Sequence, residues 1–299
     1  MKRIEKIFPS GEVPICFSAN SDFIPYTAVM IQSIIDRADK DKNYDIIILY
    51  SELDGQLCDM LLSLAAGHEN ISIRPVDVTE YIRDFEFFTG SVYTKSLYSK
   101  EVYFRLLIPT LMPSYEKVIY LDGDMIALSD VSPLMDYDIS DYLIASCRDY
   151  AGIAHCYTDG DDRREYRERT LGLSNIDNYI ISGILIFNVP KFNARFGARE
   201  LMEISASRNW RQHDQDVLNK ICDGEILILG GEWNYLFGNT LIKNLPEPLY
   251  REHKASEKNP KIVHFAGMRK PTRDNPVRFS EEFWDIARRT PFLEILEKK

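Results

Sequence analysis

The chain has 299 residues, of which 45% are hydrophobic and 27% are charged. This is the composition of a globular protein long enough for one large α/β domain or two small ones. A net charge of −10 argues against a nucleic-acid partner, because phosphate contacts need a basic face. No window approaches the roughly 18 unbroken apolar residues of a membrane span. The five cysteines are scattered without a CxxC pair, so we expect no disulfide framework, no zinc site and a cytoplasmic location.

The first part of the chain alternates strand-like and helix-like segments. Short apolar runs over residues 13–18, 44–51 and 70–78 are typical of buried strands. Between them, apolar residues fall at helical spacing over 26–37 and 57–65. Strands that alternate with helices in this way predict a parallel sheet covered by helices.

The middle of the chain continues this pattern. Residues 99–108 are predicted to be helical up to the residue before Pro109, and they lead into a strand over 117–121. Two further strands are predicted over 142–149 and 179–189. The segment between them, over 159–173, carries dense mixed charge and is interpreted as a mobile loop or a surface helix.

The last part of the chain adds more helices and two strands. A helix is predicted over 198–208, and another begins at 213. A strand over 225–237 runs into an irregular turn, and a short strand covers 261–267. Near the end, Ser280 is predicted to cap a helix that carries acidic residues in its first turn.

Two aspartates follow the apolar strand over 117–121, in the run "YLDGDM". An Asp-Gly pair is common in hairpin turns, so one interpretation of Asp122, Gly123 and Asp124 is a charged turn. The other is functional, because residues i and i+2 of an extended segment point to the same side. Two carboxylates would then flank a point that the glycine leaves open, which suits a divalent cation shared with substrate phosphates.

A second polar group lies in "HFAGMRKP", at the end of the last predicted strand. His264 has the chemistry of a metal ligand, Gly267 can admit a phosphate closely, and Lys270 can balance its charge. A single histidine beside an apolar strand is also commonly structural. In an acidic protein, the neighbouring basic residues favour an anion site.

A third polar group, Asp214, Gln215 and Asp216, lies where a helix begins in "HDQDVLNKI". Capping the helix is an ordinary role for at least one of the aspartates. The glutamine has no such role, although exposed glutamines are common.

Six motifs together are far more specific than any one of them. In chain order they are "CFSANSDF", "YFRLLIP", "VIYLDGDMIAL", "SGILIFN", "HDQDVLN" and "HFAGMRKP". Over most of the chain, this series resembles glycosyltransferase family 8, the retaining nucleotide-sugar transferases that include lipopolysaccharide α-galactosyltransferases and glycogenin. The resemblance implies a GT-A fold, a Rossmann-like α/β/α domain over residues 1–272, with a small helical C-terminal extension over 273–299.

The resemblance also implies which residues bind the donor nucleotide and its metal. The implied metal ligands are Asp122, Asp124 and His264. The implied contacts to the uridine and the diphosphate are Ser18, Asn20, Phe23, Gly123, Gly267 and Lys270. A histidine beside two carboxylates suits Mn²⁺ better than Mg²⁺, which prefers oxygen ligands, although Mg²⁺ stays open.

The implied residues around the donor sugar come from three motifs. Arg105 and Asp149 match positions that contact the sugar, and Gln215 matches the residue on the β-face of the anomeric carbon. Gln215, its neighbour Asp216 and Asp149 form the expected catalytic group. Glutamine is a poor nucleophile, so retention is expected to proceed by attack on the face from which the diphosphate leaves.

The chain departs from the family pattern at two points. Where relatives often have Asn-Ala-Gly, this chain has Ile181, Ser182 and Gly183, and the missing asparagine would contact the sugar. Asn20 stands where many relatives have aspartate, a milder change because both side chains can hydrogen-bond a base or ribose. The donor sugar, galactose or glucose, therefore stays open.

The expected function is transfer of a hexose from a UDP-sugar to a glycan, lipid-linked or cell-envelope acceptor. A sugar-phosphate nucleotidyltransferase would need a glycine- and arginine-rich phosphate loop, which "SANSDFIP" does not provide. A glycosidase would use two carboxylates without a metal. A catalytically silent nucleotide-sugar-binding protein is the remaining alternative, and Ile181 is the observation that favours it.

The C-terminal end is the basic part of an acidic chain. Residues 250–299 contain 12 Lys and Arg against 8 Asp and Glu, a net charge of +4. Basic and aromatic residues are interleaved there, which suits peripheral contact with an anionic membrane surface at the inner face. The alternative is a capping helix whose apolar side packs on the catalytic domain.

Overall fold

The computed structural model describes residues 3–90, 99–267, 270–272, 274 and 276–299. The nine strands found in this part are β1 (Glu12–Ser18), β2 (Asn43–Tyr50), β3 (Ile71–Asp77), β4 (Lys117–Leu121), β5 (Met125–Ala127), β6 (Ile144–Cys147), β7 (Ile184–Asn188), β8 (Ile226–Leu229) and β9 (Ile262–His264). The α-helices there are α1 (Ile24–Ile35), α2 (Gly55–Leu62), α3 (Thr79–Ile82), α4 (Ile108–Leu111), α5 (Tyr150–Cys156), α6 (Arg163–Glu165), α7 (Val189–Arg195), α8 (Ala198–Ala206), α9 (His213–Ile221), α10 (Glu247–Ser256), α11 (Ser280–Ala287) and α12 (Leu293–Leu296).

Seven strands form one sheet in the order β3-β2-β1-β4-β7-β6-β8. The pairs from β3 to β4 and the pair of β6 with β8 are parallel, whereas β7 is antiparallel to both of its neighbours. Strands β5 and β9 form a separate two-stranded antiparallel sheet. The predicted parallel sheet is confirmed for β1 to β4, with one reversed strand further along.

The large sheet is buried on both faces. In β4, Ile119 and Leu121 belong to one hydrophobic core, while Val118 and Tyr120 belong to the other. Successive side chains of a strand point to opposite faces, so this alternation places a core on each side of the sheet. The architecture is three-layered α/β/α, as predicted.

Three of the local predictions differ from the structure. Residues 100–107 form a 3₁₀ helix that continues into α4, rather than one α-helix. The charged segment over 159–173 contains α6 and a π-helix, Tyr166–Leu171, and its Arg167 is buried against the ring of Tyr179. The prediction that Ser280 caps the last long helix is wrong, because the capping position is Phe279 and Ser280 instead accepts a hydrogen bond from the backbone of Val277.

The C-terminal helices pack into the same core as the sheet. Phe283, Trp284 and Phe292 are buried, and α11 and α12 both lie against α1. The exposed Arg288 and Arg289 pair with nearby aspartates. Membrane contact stays a prediction, and it now depends on charge alone because these aromatic side chains are not at the surface. Within the described residues, no helix is long and apolar enough to cross a membrane.

Candidate active site

The candidate site begins where β1 and β4 end side by side. Their parallel register pairs Cys16 with Tyr120, so Ser18 and Asp122 come level at the carboxyl edge of the sheet. The Asp122–Asp124 segment then leads from β4 in the large sheet to β5 in the small one. The hairpin-turn interpretation of this segment is therefore wrong, since the two strands that it joins do not pair.

Pairing of β5 with β9 brings His264 to the two aspartates. Met125 is the register partner of His264, which places the imidazole beside the Asp-Gly-Asp segment. The imidazole Nε2 lies 3.2 Å from Asp124 Oδ1 and 3.8 Å from Asp122 Oδ2. One ligand atom from each of the three residues lies within 4.8 Å of the others, and within the described ranges this is the one such group.

Each carboxylate of this group has one oxygen committed to other side chains and one turned toward the imidazole. Asp122 Oδ1 accepts from the Tyr120 hydroxyl at 2.8 Å and lies 3.1 Å from the Arg105 guanidinium. Asp124 Oδ2 accepts from the Lys270 ammonium. The oxygens facing the histidine, Asp122 Oδ2 and Asp124 Oδ1, are the pair left to meet a cation. The donor set of two carboxylate oxygens and one imidazole nitrogen fits a divalent transition metal.

Asn234 fixes which imidazole nitrogen faces the carboxylates. It lies at the end of the 3₁₀ helix Gly231–Asn234, is buried, and its Oδ1 is 2.9 Å from His264 Nδ1. A carbonyl oxygen accepts a hydrogen bond, so Nδ1 carries the proton and Nε2 keeps its lone pair for a metal. Sequence reasoning missed this residue, because an asparagine in "GEWNYLF" has no local pattern that links it to His264.

Two glycines shape this edge for different reasons. A Cβ at Gly183 would lie 2.7 Å from His264 Cε1 and 2.8 Å from Asp122 Oδ2, so any side chain there would enter the metal group. A Cβ at Gly123 would lie 2.1 Å from the hydroxyl oxygen of Thr27 in α1. Gly123 is thus required for packing on α1, and its predicted contact to the diphosphate stays a prediction.

Arg105 is buried between two acids. Its guanidinium is 3.1 Å from Asp122 and 3.2 Å from Asp214, and it lies 4.3 Å from the ring centre of Tyr120. Burial opposes its charge, but the two carboxylates outweigh it and raise the pKa of Arg105 above its usual value. Arg105, which is predicted to contact the sugar, therefore also balances the charges of Asp122 and Asp214.

Asp214 and Asp124, which are both buried, differ in how their pKa values are shifted. Burial raises the pKa of Asp214 to about 6, against the opposing effect of Arg105, and the charge of Asp122 adds to the rise. Burial also acts on Asp124, but the Lys270 ammonium holds the pKa of that carboxyl well below its usual range. Asp124 is therefore an anion at neutral pH, and Asp214 is close to its titration range.

Lys270 lies between the metal group and the residues of "CFSANSDF" that are predicted to contact the uridine. Its ammonium donates to Asp124 and to the carbonyl of Phe265, the latter at 2.8 Å, and lies 5.5 Å from the ring centre of Phe23. Nearby, the backbone nitrogen of Phe23 donates to Asn20 Oδ1 at 3.1 Å. Ser18 Oγ is buried and forms no hydrogen bond with any described residue. A buried hydroxyl without a partner is the kind of group that a ligand satisfies.

Gln215 and Asp149 form a second polar pair. Gln215 Nε2 donates to Asp149 Oδ2 at 3.0 Å, and its Oε1 accepts from the backbone nitrogen of Ser182 at 3.3 Å. Asp149 Oδ1 accepts from the backbone of Gly152 at 2.8 Å and so caps α5. The glutamine amide is therefore held from both ends.

Asp216 lies behind this pair, and both of its oxygens accept hydrogen bonds. The hydroxyls of Tyr166 and Tyr179 donate to its two oxygens at 2.7 Å and 2.6 Å, and the backbone of Gln212 donates at 2.9 Å. The carboxylate is fully buried. Its predicted catalytic role stays a prediction, and the contacts give it a scaffolding role for the start of α9.

A cavity of about 320 Å³ joins these groups. The predicted site residues that line it are Arg105, Asp122, Asp124, Asp149, Gln215, His264 and Gly267. Ile181, at the position where the asparagine is missing, also lines it. Ser18, Asn20 and Phe23 lie at the neighbouring end of β1, and Lys270 lies between them and Asp124.

Comparison with known families places the chain. Residues 14–275 match the model of glycosyl transferase family 8. The chain belongs to this family. A Haemophilus influenzae protein named as a glycosyltransferase is 29% identical over 235 residues, which cover 76% of this chain and 64% of that protein. The lipopolysaccharide 1,2-glucosyltransferase of Escherichia coli is 22% identical over 195 residues, which cover 64% of this chain and 54% of that enzyme.

Solved structures of glycosyltransferases share the architecture. The bifunctional glycosyltransferase WbbM, in its apo form, matches with a TM-score of 0.87 at 30% identity, over 99% of this chain and 53% of that chain. The galactosyltransferase LgtC, in complex with donor and acceptor sugar analogues, matches with a TM-score of 0.74 at 22% identity, over 93% of this chain and 96% of that chain. These neighbours have the GT-A fold, so the predicted fold is confirmed. The family 8 chain spans about half of WbbM and less than two thirds of the two relatives above.

Proposed function

We propose that this chain is a retaining, metal-dependent glycosyltransferase that moves a hexose from a UDP-sugar to a glycan, lipid-linked or cell-envelope acceptor. The observation that carries the proposal is the convergence of Asp122, Asp124 and His264, each turning one ligand atom to a common point. That point borders a cavity that also contains the Gln215–Asp149 pair. Family membership and the fold of WbbM and LgtC support the same reaction class.

The metal group needs a cation to accept a diphosphate. Asp122 and Asp124 are anionic and would repel a second anion, while Lys270 already pairs with Asp124. When bound, a divalent ion supplies positive charge that stabilises the diphosphate and the negative charge that develops on its leaving oxygen. The imidazole ligand favours Mn²⁺ over Mg²⁺. Lys270 and Gly267 supply the remaining contacts to the diphosphate.

The chain's own residues then orient the sugar. Gln215 is fixed by Asp149 at one end and by the Ser182 backbone at the other, so its amide is rigid and faces the cavity. An amide is a poor nucleophile, which favours attack by the acceptor on the face from which the diphosphate departs. Asp149 and Arg105 position the sugar ring for that attack.

The hexose is glucose or galactose in this proposal. The E. coli relative is named a glucosyltransferase, and LgtC is named a galactosyltransferase. Ile181 gives the cavity an apolar group where relatives often have an amide. The same substitution is what a catalytically silent nucleotide-sugar-binding protein would tolerate, so that function is the second candidate.

Hydrolysis of the donor tests the proposal without an acceptor. UDP-glucose and UDP-galactose are incubated with the chain and Mn²⁺, and UDP release is measured with and without EDTA. We expect slow hydrolysis of one of them, abolished by EDTA, and calorimetric UDP binding that requires the metal. Equal UDP affinity with and without chelator contradicts metal dependence. Tight UDP binding without turnover of either sugar supports the silent binder instead.

A further inference from the structure

A second and larger cavity lies beside the one lined by Asp122, Asp124 and His264, which is called the metal-lined cavity after these candidate ligands. It has a volume of about 550 Å³ and is bordered by Tyr235, by residues 237–240 and 242–243, by α10 and by the segment 277–278. We call it the basic groove and define it by its four charged lining residues, Lys243, Lys254, Glu257 and Arg278. None of these residues belongs to the site proposed above.

One extended segment separates the groove from the metal-lined cavity. Leu236 lines the cavity, whereas its neighbours Tyr235 and Phe237 line the groove. Successive residues of an extended chain point to opposite sides, so the wall is one strand thick. The same segment is bonded to β9, since the backbone of His264 donates to the Tyr235 carbonyl at 3.1 Å. The cavity and the groove therefore lie on opposite sides of one extended segment.

The groove carries a charge opposite to that of the whole chain. Its three cations and one acid give a net charge of +2, in a protein of net charge −10. Glu257 accepts from Lys254 and Arg278, which lower its pKa to about 2 and leave no acidic site for a cationic ligand. Lys243 is exposed and forms no ion pair with a described residue.

Arg278 has an edge available for a ligand. One terminal nitrogen, Nη1, makes both of its side-chain hydrogen bonds, donating to the Tyr235 hydroxyl at 2.9 Å and to Glu257 at 2.8 Å. The guanidinium also lies 4.9 Å from the ring centre of Phe279. Within the described residues, its Nε and Nη2 donate no hydrogen bond. This edge of a guanidinium matches the two oxygens of a phosphate or carboxylate. The rings of Tyr235 and Phe237 are buried, whereas Lys243, Lys254 and Arg278 are exposed.

We propose that the basic groove is a second binding site, which takes a phosphate or carboxylate group carried by the acceptor glycan. The proposal rests on the proposed glycosyltransferase function, and it adds the chemical class of the acceptor. The hydroxyl that receives the sugar lies in the metal-lined cavity, and the anionic group of the same acceptor lies across the wall formed by residues 235–237.

Binding of an anionic oligosaccharide tests this proposal. The full chain, with UDP and Mn²⁺ in excess to fill the donor site, is titrated into a fluorescein-labelled dextran sulfate oligosaccharide and into neutral dextran of the same length. We expect binding of the anionic probe alone, weakened by added salt. Lys243→Glu and Arg278→Gln should each weaken it roughly fivefold, the effect of losing an exposed ionic contact. Lys258→Glu, the same charge change outside the groove lining, should leave binding within about twofold.

Three outcomes overturn the proposal. The first is equal binding of the sulfated and neutral probes, and the second is unchanged binding in both groove variants. The third is binding to phosphatidylglycerol vesicles that Lys243→Glu abolishes while the oligosaccharide does not bind, which would assign the groove to a lipid headgroup. UDP-sugar hydrolysis by the unaltered chain is measured separately. Hydrolysis without oligosaccharide binding refutes the groove alone, whereas absence of hydrolysis refutes the proposed function.

Discussion

Two acidic groups near the cavity, Asp216 and the pair Asp122 and Asp124, differ in how completely their oxygens are satisfied. Around Asp216, two tyrosine hydroxyls and one backbone N–H donate hydrogen bonds, so that both carboxylate oxygens have a donor. Around Asp122 and Asp124, one oxygen of each acid has a cationic partner and the other faces His264. Burial alone therefore does not identify a functional acid. The direction of the unsatisfied oxygens does, because oxygens that converge without donors need a cation.

The largest effect is expected from Asp124→Asn, because Asp124 belongs to the metal group and Asp216 does not. Asp124→Asn converts the carboxylate into a neutral amide, so the metal group loses one negative charge and one carboxylate oxygen is replaced by an NH₂ group. We expect loss of measurable Mn²⁺-dependent UDP binding and of donor hydrolysis. The chain should still unfold cooperatively, at a melting temperature lowered by the loss of the Lys270–Asp124 ion pair. Calorimetry, hydrolysis and thermal unfolding measure the three properties. Retained Mn²⁺ affinity in this variant would remove Asp124 from the ligand set.

A smaller effect is expected from the residue that orients the histidine. Asn234→Leu removes the acceptor for His264 Nδ1–H, so the imidazole is free to place its proton on Nε2. We expect Mn²⁺ affinity to fall by roughly 10- to 100-fold, as for other partners of metal-binding histidines. Asn234→Asp keeps an acceptor and should restore affinity.

The tautomer itself can be observed in the metal-free protein. Two-dimensional ¹⁵N NMR distinguishes a protonated Nδ1 from a protonated Nε2. The unaltered chain and Asn234→Asp should show the Nδ1–H form of His264, and Asn234→Leu should show a larger share of the Nε2–H form. If all three chains give the same tautomer, Asn234 has no positioning role and its contribution is packing alone.

Asp216 should show the opposite phenotype to Asp124. Asp216→Asn leaves a buried amide N–H₂ where one tyrosine hydroxyl donated, so we expect a loss of about 1–3 kcal/mol of unfolding free energy. Mn²⁺ affinity and the metal dependence of UDP binding should not change. Chemical denaturation and calorimetry provide the measurements. A variant that is fully stable but has lost hydrolysis would give Asp216 the catalytic role predicted from its position beside Gln215.

The candidate metal ligands could be predicted from the sequence, whereas the residue that orients one of them could not. Asp122, Asp124 and His264 were predicted as one metal group through the family resemblance, and the fold brings them together. Asn234 was not predicted, because it meets His264 only through the pairing of Tyr235 with β9, a contact between segments 30 residues apart. Nothing in the local sequence records such a contact.

Short and charged elements were the hardest to predict. Strand β5 has three residues, too few to show a period, so its pairing with β9 could not be expected. In the charged segment over 159–173, Arg167 is buried against Tyr179 at 3.4 Å from the ring centre, although the charged Glu165, Glu168 and Arg169 are exposed. A single buried cation in a run of charges has the same sequence pattern as a solvated surface. Helix α10, which forms one wall of the basic groove, was missed altogether.

The smallest expected effect concerns a buried histidine that takes no part in the proposed metal group. His253 is packed between Tyr150 and Tyr235, with ring centres 5.2 Å and 5.9 Å away, and burial lowers its pKa below 6.5. Below that pH the unfolded chain binds more protons than the folded chain, so stability is lost as the pH falls. His155 and His213, whose pKa values are also lowered by burial, act in the same direction.

His253→Phe keeps a ring between the two tyrosines and removes the titration. We expect the melting temperature of this variant to fall less steeply than that of the unaltered chain between about pH 7.5 and about pH 5.5. The raised pKa of Asp214 has the opposite effect, because the folded chain binds that proton more tightly and gains stability as the pH falls through about 6. Both proteins contain Asp214, so the difference between their slopes isolates His253. Equal slopes would mean that His253 is protonated as readily in the folded chain as in the unfolded one.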